Sequence, residues 1–206
     1  MVALMPRVTE AHLAARRQQI LEAAWRCFAR NGFHGTSMQD IFEESGLSAG
    51  AIYRYFPGKI DLVQATAESV TGDIAEVFDL IDAIEPVPDP PATFRLVIER
   101  IVSAIADGEV DRSRIAVHVW SEALREPQVG VLAREVGRAV RDRWVPIAAR
   151  WRAAGHMPAD SDPAEVARLM YGLMVGFVLQ RQLLGDITPA QYLDGFSSLF
   201  RGGEQS

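Results

Sequence analysis

The sequence predicts an all-α fold, with a small three-helix head at the N-terminus and a longer helical body behind it. Three observations carry this. Apolar residues recur at helical spacing along nearly all of the 206 residues. No alternating period-two run of useful length appears, so no sheet is expected. Glycine and proline break the pattern into segments, most clearly at EPVPDPP, residues 85–91.

The first helix is expected from about Glu10 to Arg30, with Ile20, Ala23, Ala24, Cys27 and Phe28 on one face and Asn31-Gly32 as its stop. Arg16 and Arg17 lie near its start, and Arg7 sits further out on an arm. Residues 36–59, TSMQDIFEESGLSAGAIYRYFPGK, read as two short helices around a glycine turn. Thr36 caps the first of these, with Gln39 three residues on as the return arm of a capping box. Ile41 anchors that helix, Gly46 ends it in a left-handed turn, and Leu47 plugs the space beneath. Ser48 caps the next helix, whose inner face carries Ile52 and Phe56. Ala49, Gly50, Tyr53 and Arg54 then face outward, where small residues allow close approach to a major groove and the longer ones reach bases or phosphates. Pro57 stops the helix, and Lys59, the only lysine in the chain, opens the next. A cation at a helix N-terminus is mildly unfavourable unless a phosphate is bound there, so Lys59 reads as a phosphate contact. This is the layout of a DNA-reading helix-turn-helix.

The body continues as helices. Leu62, Val63, Val70, Ile74, Val77, Phe78 and Ile81 form the stripe of a long connecting helix. After residues 85–91 comes a helix with Phe94, Val97, Ile98, Ile101, Val102 and Ile105, stopped at Asp107-Gly108. Ile115, Val119, Trp120, Ala123 and Leu124 mark the next, which ends near Pro127. A longer helix carries Val131, Val136, Val140, Trp144, Ile147 and Trp151, with Pro146 as a kink or a start within it. Val166, Leu169, Met170, Leu173, Met174, Phe177 and Val178 belong to a helix from Ala164 to Leu184. Pro189 starts the last helix, with Tyr192, Leu193, Phe196, Leu199 and Phe200, and the GGEQS tail is expected to fray.

The net charge of −6 is unusual for a DNA binder, but it is unevenly spread. Residues 1–60 hold seven basic against five acidic groups, and the rest hold fourteen against twenty-two. An acidic body repels DNA and turns the basic head toward it. The single cysteine, Cys27, excludes an internal disulfide and lies on the apolar face of the first helix. No apolar run approaches a membrane span, and no hydrophobic signal core opens the chain, so a cytoplasmic protein is expected.

The run from Ile20 to Leu62, ILEAAWRCFARNGFHGTSMQDIFEESGLSAGAIYRYFPGKIDL, resembles the DNA-binding head of the TetR family of bacterial transcriptional repressors. Phe28, Gly32, Phe33, Thr36, Ile41, Gly46, Leu47, Ser48, Gly50, Ile52, Tyr53, Tyr55, Phe56 and Lys59 are among the matching residues. Two departures stand out: Phe42 in place of the family's usual alanine, and Gly58 in place of a serine-like cap. The resemblance implies a helix-turn-helix DNA-binding domain over residues 1–60 and a helical ligand-binding and dimerisation domain over residues 61–206. DNA-contact candidates are Arg17, Thr36, Ser37, Ser48, Ala49, Gly50, Tyr53, Arg54, Tyr55 and Lys59. It also implies an inducer pocket, with Phe94, Ile98, Val102, Trp120, Leu124, Trp144, Ile147, Trp151, Met170, Tyr171, Met174 and Phe177 as lining candidates. His118, Glu122, Arg100 and Gln180 are the polar groups that could orient a mostly apolar or aromatic small molecule. Gly172 and Gly176, four apart on an apolar helix, permit close helix approach. With the resemblance, they imply a homodimer through the last two helices, at Leu169, Gly172, Gly176, Tyr192, Phe196 and Phe200.

No Gly-rich phosphate loop, HExxH or G-x-S-x-G motif is present, and the four histidines are scattered. Neither catalysis, a metal nor a cofactor is expected. The sequence thus points to a ligand-responsive repressor released from a palindromic operator by its effector. A DNA-binding protein without an effector, controlled by a protein partner or by abundance, is the alternative.

Overall fold

Glycine and proline set most of the helix boundaries. In the computed structural model, which describes residues 10–106 and 110–200, Gly32 and Gly46 hold φ of +70° and +69° at the ends of the first two helices. These are α1 (Glu10–Asn31) and α2 (Met38–Ser45), followed by the short α3 (Ala49–Tyr53) and the long α4 (Lys59–Asp82). The body continues with α5 (Pro90–Ala106), α6 (Arg112–Glu122), α7 (Pro127–Ala153), α8 (Pro163–Leu183) and α9 (Pro189–Ser198). Four of these five open on a proline, whose fixed φ suits the first helical position and whose missing N–H would be unpaired there anyway. Pro146 does not divide α7, which runs through it. Arg7, the Asp107-Gly108 stop, the Ile105 side chain and the GGEQS tail lie outside what the structure describes.

The cap of α2 differs from expectation. Ser37, not Thr36, is the N-cap, and Asp40, not Gln39, completes the capping box. Thr36 instead turns inward, its Oγ1 2.8 Å from Gly32 O and 3.2 Å from Cys27 O. A buried hydroxyl needs a partner, and the carbonyls of Cys27, in the last turns of α1, and Gly32, just past it, supply it. Gln39 is exposed and bonds Glu43.

Two apolar cores result. Ile20, Phe28, Ile41, Ile52 and Phe56 fill the head, joined by Leu62, Val63 and Ala65 from α4 and Ile115 from α6. Phe78, Phe94, Trp144, Trp151, Phe177 and Phe196 fill the body. The Trp151 indole donates to Pro88 O at 2.9 Å, pinning the proline-rich loop to α7. Arg150 donates to Ile81 O in the last turn of α4 and to Ile84 O just past it, where a cation also complements the helix dipole.

Two substitutions test this packing. Phe94→Ala deletes a fully buried ring and is expected to lower stability by about 3–5 kcal/mol in urea titration. Gly58 is an extended N-cap with no side-chain hydrogen bond. Gly58→Ser is expected to raise stability by about 0.5 kcal/mol in the same assay.

Candidate nucleic-acid interface and apolar cavity

The helix-turn-helix is held to α1 by charge as well as by its core. Arg26 Nε and Arg30 donate to opposite oxygens of Glu44, at 2.7 and 3.0 Å. These bonds, from Arg26 first and then Arg30, hold the Glu44 carboxyl below its usual range. On the outer side, Ser37, Ser48, Ala49, Gly50, Tyr53 and Arg54 are exposed, and no atom lies within 4 Å of where a Cβ on Gly50 would stand. Tyr53 is steadied from beneath by Phe42, with ring centroids 5.5 Å apart in an edge-on arrangement. The unusual ring at position 42 therefore orients an outward-facing side chain. Tyr55 is half-buried, and exposed Arg17 stacks over Phe56 and reaches Glu68 at 3.6 Å.

Two candidates sit differently from the expectation. Thr36 is 1% exposed, so its side chain cannot meet DNA; its role is to close the end of α1. Lys59 Nζ donates to Phe33 O and Thr36 O, both at 2.7 Å, and lies 4.2 Å from the centre of the Phe33 ring. Burial pushes this amine's pKa down, opposed by Glu122 and Asp40. Two of its three protons therefore fasten the α1–α2 turn to the start of α4.

Behind the head, α4, α6, α7 and α8 enclose an apolar cavity of about 190 Å³. Of the lining candidates, Trp120, Tyr171 and Met174 border it. The other apolar candidates do not. Phe94, Ile98, Trp144, Ile147, Trp151, Met170 and Phe177 are plain core, with Val102 packed on its edge. Leu124 is 89% exposed and outside the cavity. His118 is exposed and faces Gly32 in the head, while Gln180 is solvated. Glu122 also turns to the head, its Oε1 3.0 Å from His34 Nε2. Arg100 pairs with Asp73 and Glu76. The walls that sequence reasoning missed are small or β-branched: Val63, Thr66, Val70 and Ile74 of α4, Ala133, Val136 and Gly137 of α7, and Val175 of α8. For Val63, Val70 and Ile74 the signal was the α4 stripe itself, which has the pattern of ordinary core.

The cavity wall touches the DNA-binding head directly. Trp25 of α1 donates its indole N–H to Thr66 Oγ1, a wall atom, at 2.9 Å. The Arg112 guanidinium, also in the wall, lies 5.0 Å from the Trp25 ring centre and 3.1 Å from Asp73.

The dimer candidates divide into two groups. Leu169, Gly172 and Phe200 are exposed, together with Leu183, Leu184 and Leu199. Phe196 and Tyr192 face their own subunit: Phe196 stacks on Phe94 at 4.6 Å, and Tyr192 donates to Leu173 O at 2.8 Å beside Gly176. Among the described residues no helix is long and apolar enough to cross a membrane, and no His, Cys, Asp or Glu cluster could hold a metal.

A glycine-turn helix pair on the outer face of a small head, joined by one helix to an all-helical body, defines a helix-turn-helix DNA-binding transcription regulator. Comparison with known proteins supplies the family. Residues 20–66 match the description "Bacterial regulatory proteins, tetR family", and residues 92–197 match "BetI-type transcriptional repressor, C-terminal". A helix-turn-helix transcriptional repressor of Mycobacterium tuberculosis is 30% identical over 186 residues, covering 88% of this chain and 90% of that one. The regulator UidR of Escherichia coli is 26% identical over 90% of this chain and 91% of its own. A transcriptional regulator of Pseudomonas aeruginosa shares the fold with a TM-score of 0.75 at 22% identity, covering 96% of each chain. The chain belongs to the TetR family of transcriptional regulators and is not an enzyme.

Lys59→Met leaves the Phe33 and Thr36 carbonyls without their donor, and a loss of about 1–3 kcal/mol is expected in urea titration. Unchanged stability with a salt slope of DNA binding smaller by about one would instead make Lys59 a phosphate contact alone. Because Glu44 is depressed in the folded state, its contribution is present above the ordinary carboxylate range and fades as pH falls through the lower folded value. Glu44→Gln is expected to flatten that acid limb in urea titrations across pH.

Proposed function

We propose that this regulator is a cytoplasmic homodimeric repressor of a near-palindromic operator and that a small apolar or aromatic effector releases it. The observation that carries this is the seam between cavity and head, where Thr66 and Arg112 are wall residues and partners of Trp25 at once. A molecule that alters the wall must alter how α1 is held. Repression is supported by the Mycobacterium tuberculosis relative, which is a transcriptional repressor. Pairing is supported by the exposed Leu169, Leu183, Leu184, Leu199 and Phe200 on or beside the last two helices. A twofold axis there sets two copies of α3 about 34 Å apart, one turn of DNA. The head of residues 1–60 then acts at the DNA and the body from residue 61 at the effector, with α4 common to both.

The effector acts by preferring a conformer whose heads no longer match the operator, and it shifts the equilibrium only by its difference in affinity for the two states. The operator is first selected from random DNA by the purified chain. Effectors are then found as compounds that quench Trp120 in the cavity, and each is titrated against the operator complex. Release is expected, and Trp25→Phe is expected to bind effector normally but to release DNA at least about tenfold less effectively. A monomeric chain, or an effector that fills the cavity and leaves operator affinity unchanged, overturns the reading.

A further inference from the structure

The apolar cavity does not end at apolar walls. Ala133, Gly137 and Tyr171 line both it and a second space of about 460 Å³ on the outer side of α7 and α8. The character of the lining reverses there. Arg134, Arg138 and Arg141 lie on successive turns of one face of α7, and Arg168 meets them from α8. No acidic residue lines this groove. Asp142 holds Arg141 at 2.8 Å and Glu165 holds Arg168 at 2.5 Å, but neither Arg134 nor Arg138 has an acidic partner among the described residues.

Like charges four residues apart on a helix repel. The chain nevertheless places four guanidiniums around one groove, which shares Ala133, Gly137 and Tyr171 with its cavity. Gly137 lets the Tyr171 hydroxyl pack against α7 at the boundary of the two spaces: a Cβ there would stand 2.8 Å from it. Burial pushes the Tyr171 phenol up, so it stays protonated and can donate at the junction.

We propose that the effector is an amphiphilic anion: an apolar body seated in the cavity, joined to a phosphate-bearing head group held by Arg134 and Arg138. This rests on the cavity being the effector site. An apolar cavity of about 150 Å³ is enough for benzene, so the present one takes a short alkyl chain or a substituted ring. Two unpaired guanidiniums supply paired N–H donors in the fork that fits phosphate oxygens. The anion reverses the repulsion along α7. The head group so held sits on α7, the helix that also walls the cavity filled by the apolar body.

The test compares n-octyl phosphate, 1-octanol and inorganic phosphate on the full chain, all below micelle concentrations, read by quenching of Trp120. Octyl phosphate is expected to bind at least about tenfold more tightly than octanol, with an affinity that falls as salt is added. Arg134→Ala/Arg138→Ala, both exposed positions, is expected to bring octyl phosphate to within about twofold of octanol while leaving octanol unchanged. Octanol binding without any gain from phosphate overturns the head-group assignment and leaves the cavity reading standing. Failure of both alkyl probes removes the cavity reading and this inference with it. If the double variant keeps full octyl phosphate binding but changes oligomeric state, the arginines serve subunit contact and the proposal falls.

Discussion

One helix belongs to two cores, and the arrangement of the molecule depends on that constraint. Leu62, Val63 and Ala65 at the start of α4 are packed in the head, while Val77, Phe78 and Ile81 at its end are packed in the body. At 1.5 Å per residue its 24 residues span about 36 Å. Hydrogen bonds inside α4 keep the two ends in register, so neither core can rotate without carrying the other. Both ends are fastened from outside as well. Lys59 binds the start to the α1–α2 turn, and Arg150 takes the carbonyls at the finish. The middle, with Val70, Asp73 and Ile74, is left to form one side of the cavity.

Much of this was legible in the sequence. Helix order and the glycine turn follow from spacing and from the Gly and Pro positions. Local competition was less legible. Thr36 and Ser37 are adjacent hydroxyl residues with acceptable partners at Gln39 and Asp40, and pattern alone gives no preference. Packing decides it, because Thr36 is buried against the Cys27 and Gly32 carbonyls and Ser37 remains free to cap. Lys59 carries a second role that pattern alone does not show. A lysine that opens a helix reads as anion-seeking, but the fold also brings the Phe33 and Thr36 carbonyls to 2.7 Å, a contact across more than twenty residues of sequence.

The cavity was the least legible feature. Large aromatics draw attention as ligand contacts, but Trp144, Trp151, Phe94 and Phe177 fill space against one another and leave no room for a guest. Room appears where side chains are small, as at Ala133 and Gly137 on α7 opposite Val70 and Ile74 on α4. Which face of α7 meets α4 is a tertiary fact, and a helical stripe looks the same whether its neighbour fits closely or stands off. The arginine row on α7 was visible as letters, but its adjacency to the cavity required the crossing of α7 and α8.

Lys59 has a chemical implication beyond packing. It is the only side-chain amine in the protein, and every other basic side chain apart from histidine is a guanidinium. Acylating reagents that attack amines therefore find a single side-chain target, one already held by two carbonyls and an aromatic face. The rest of the surface keeps its positive charge under acetylation. Any adduct formed at that one nitrogen removes the bolt between the DNA reader and the helix that carries it.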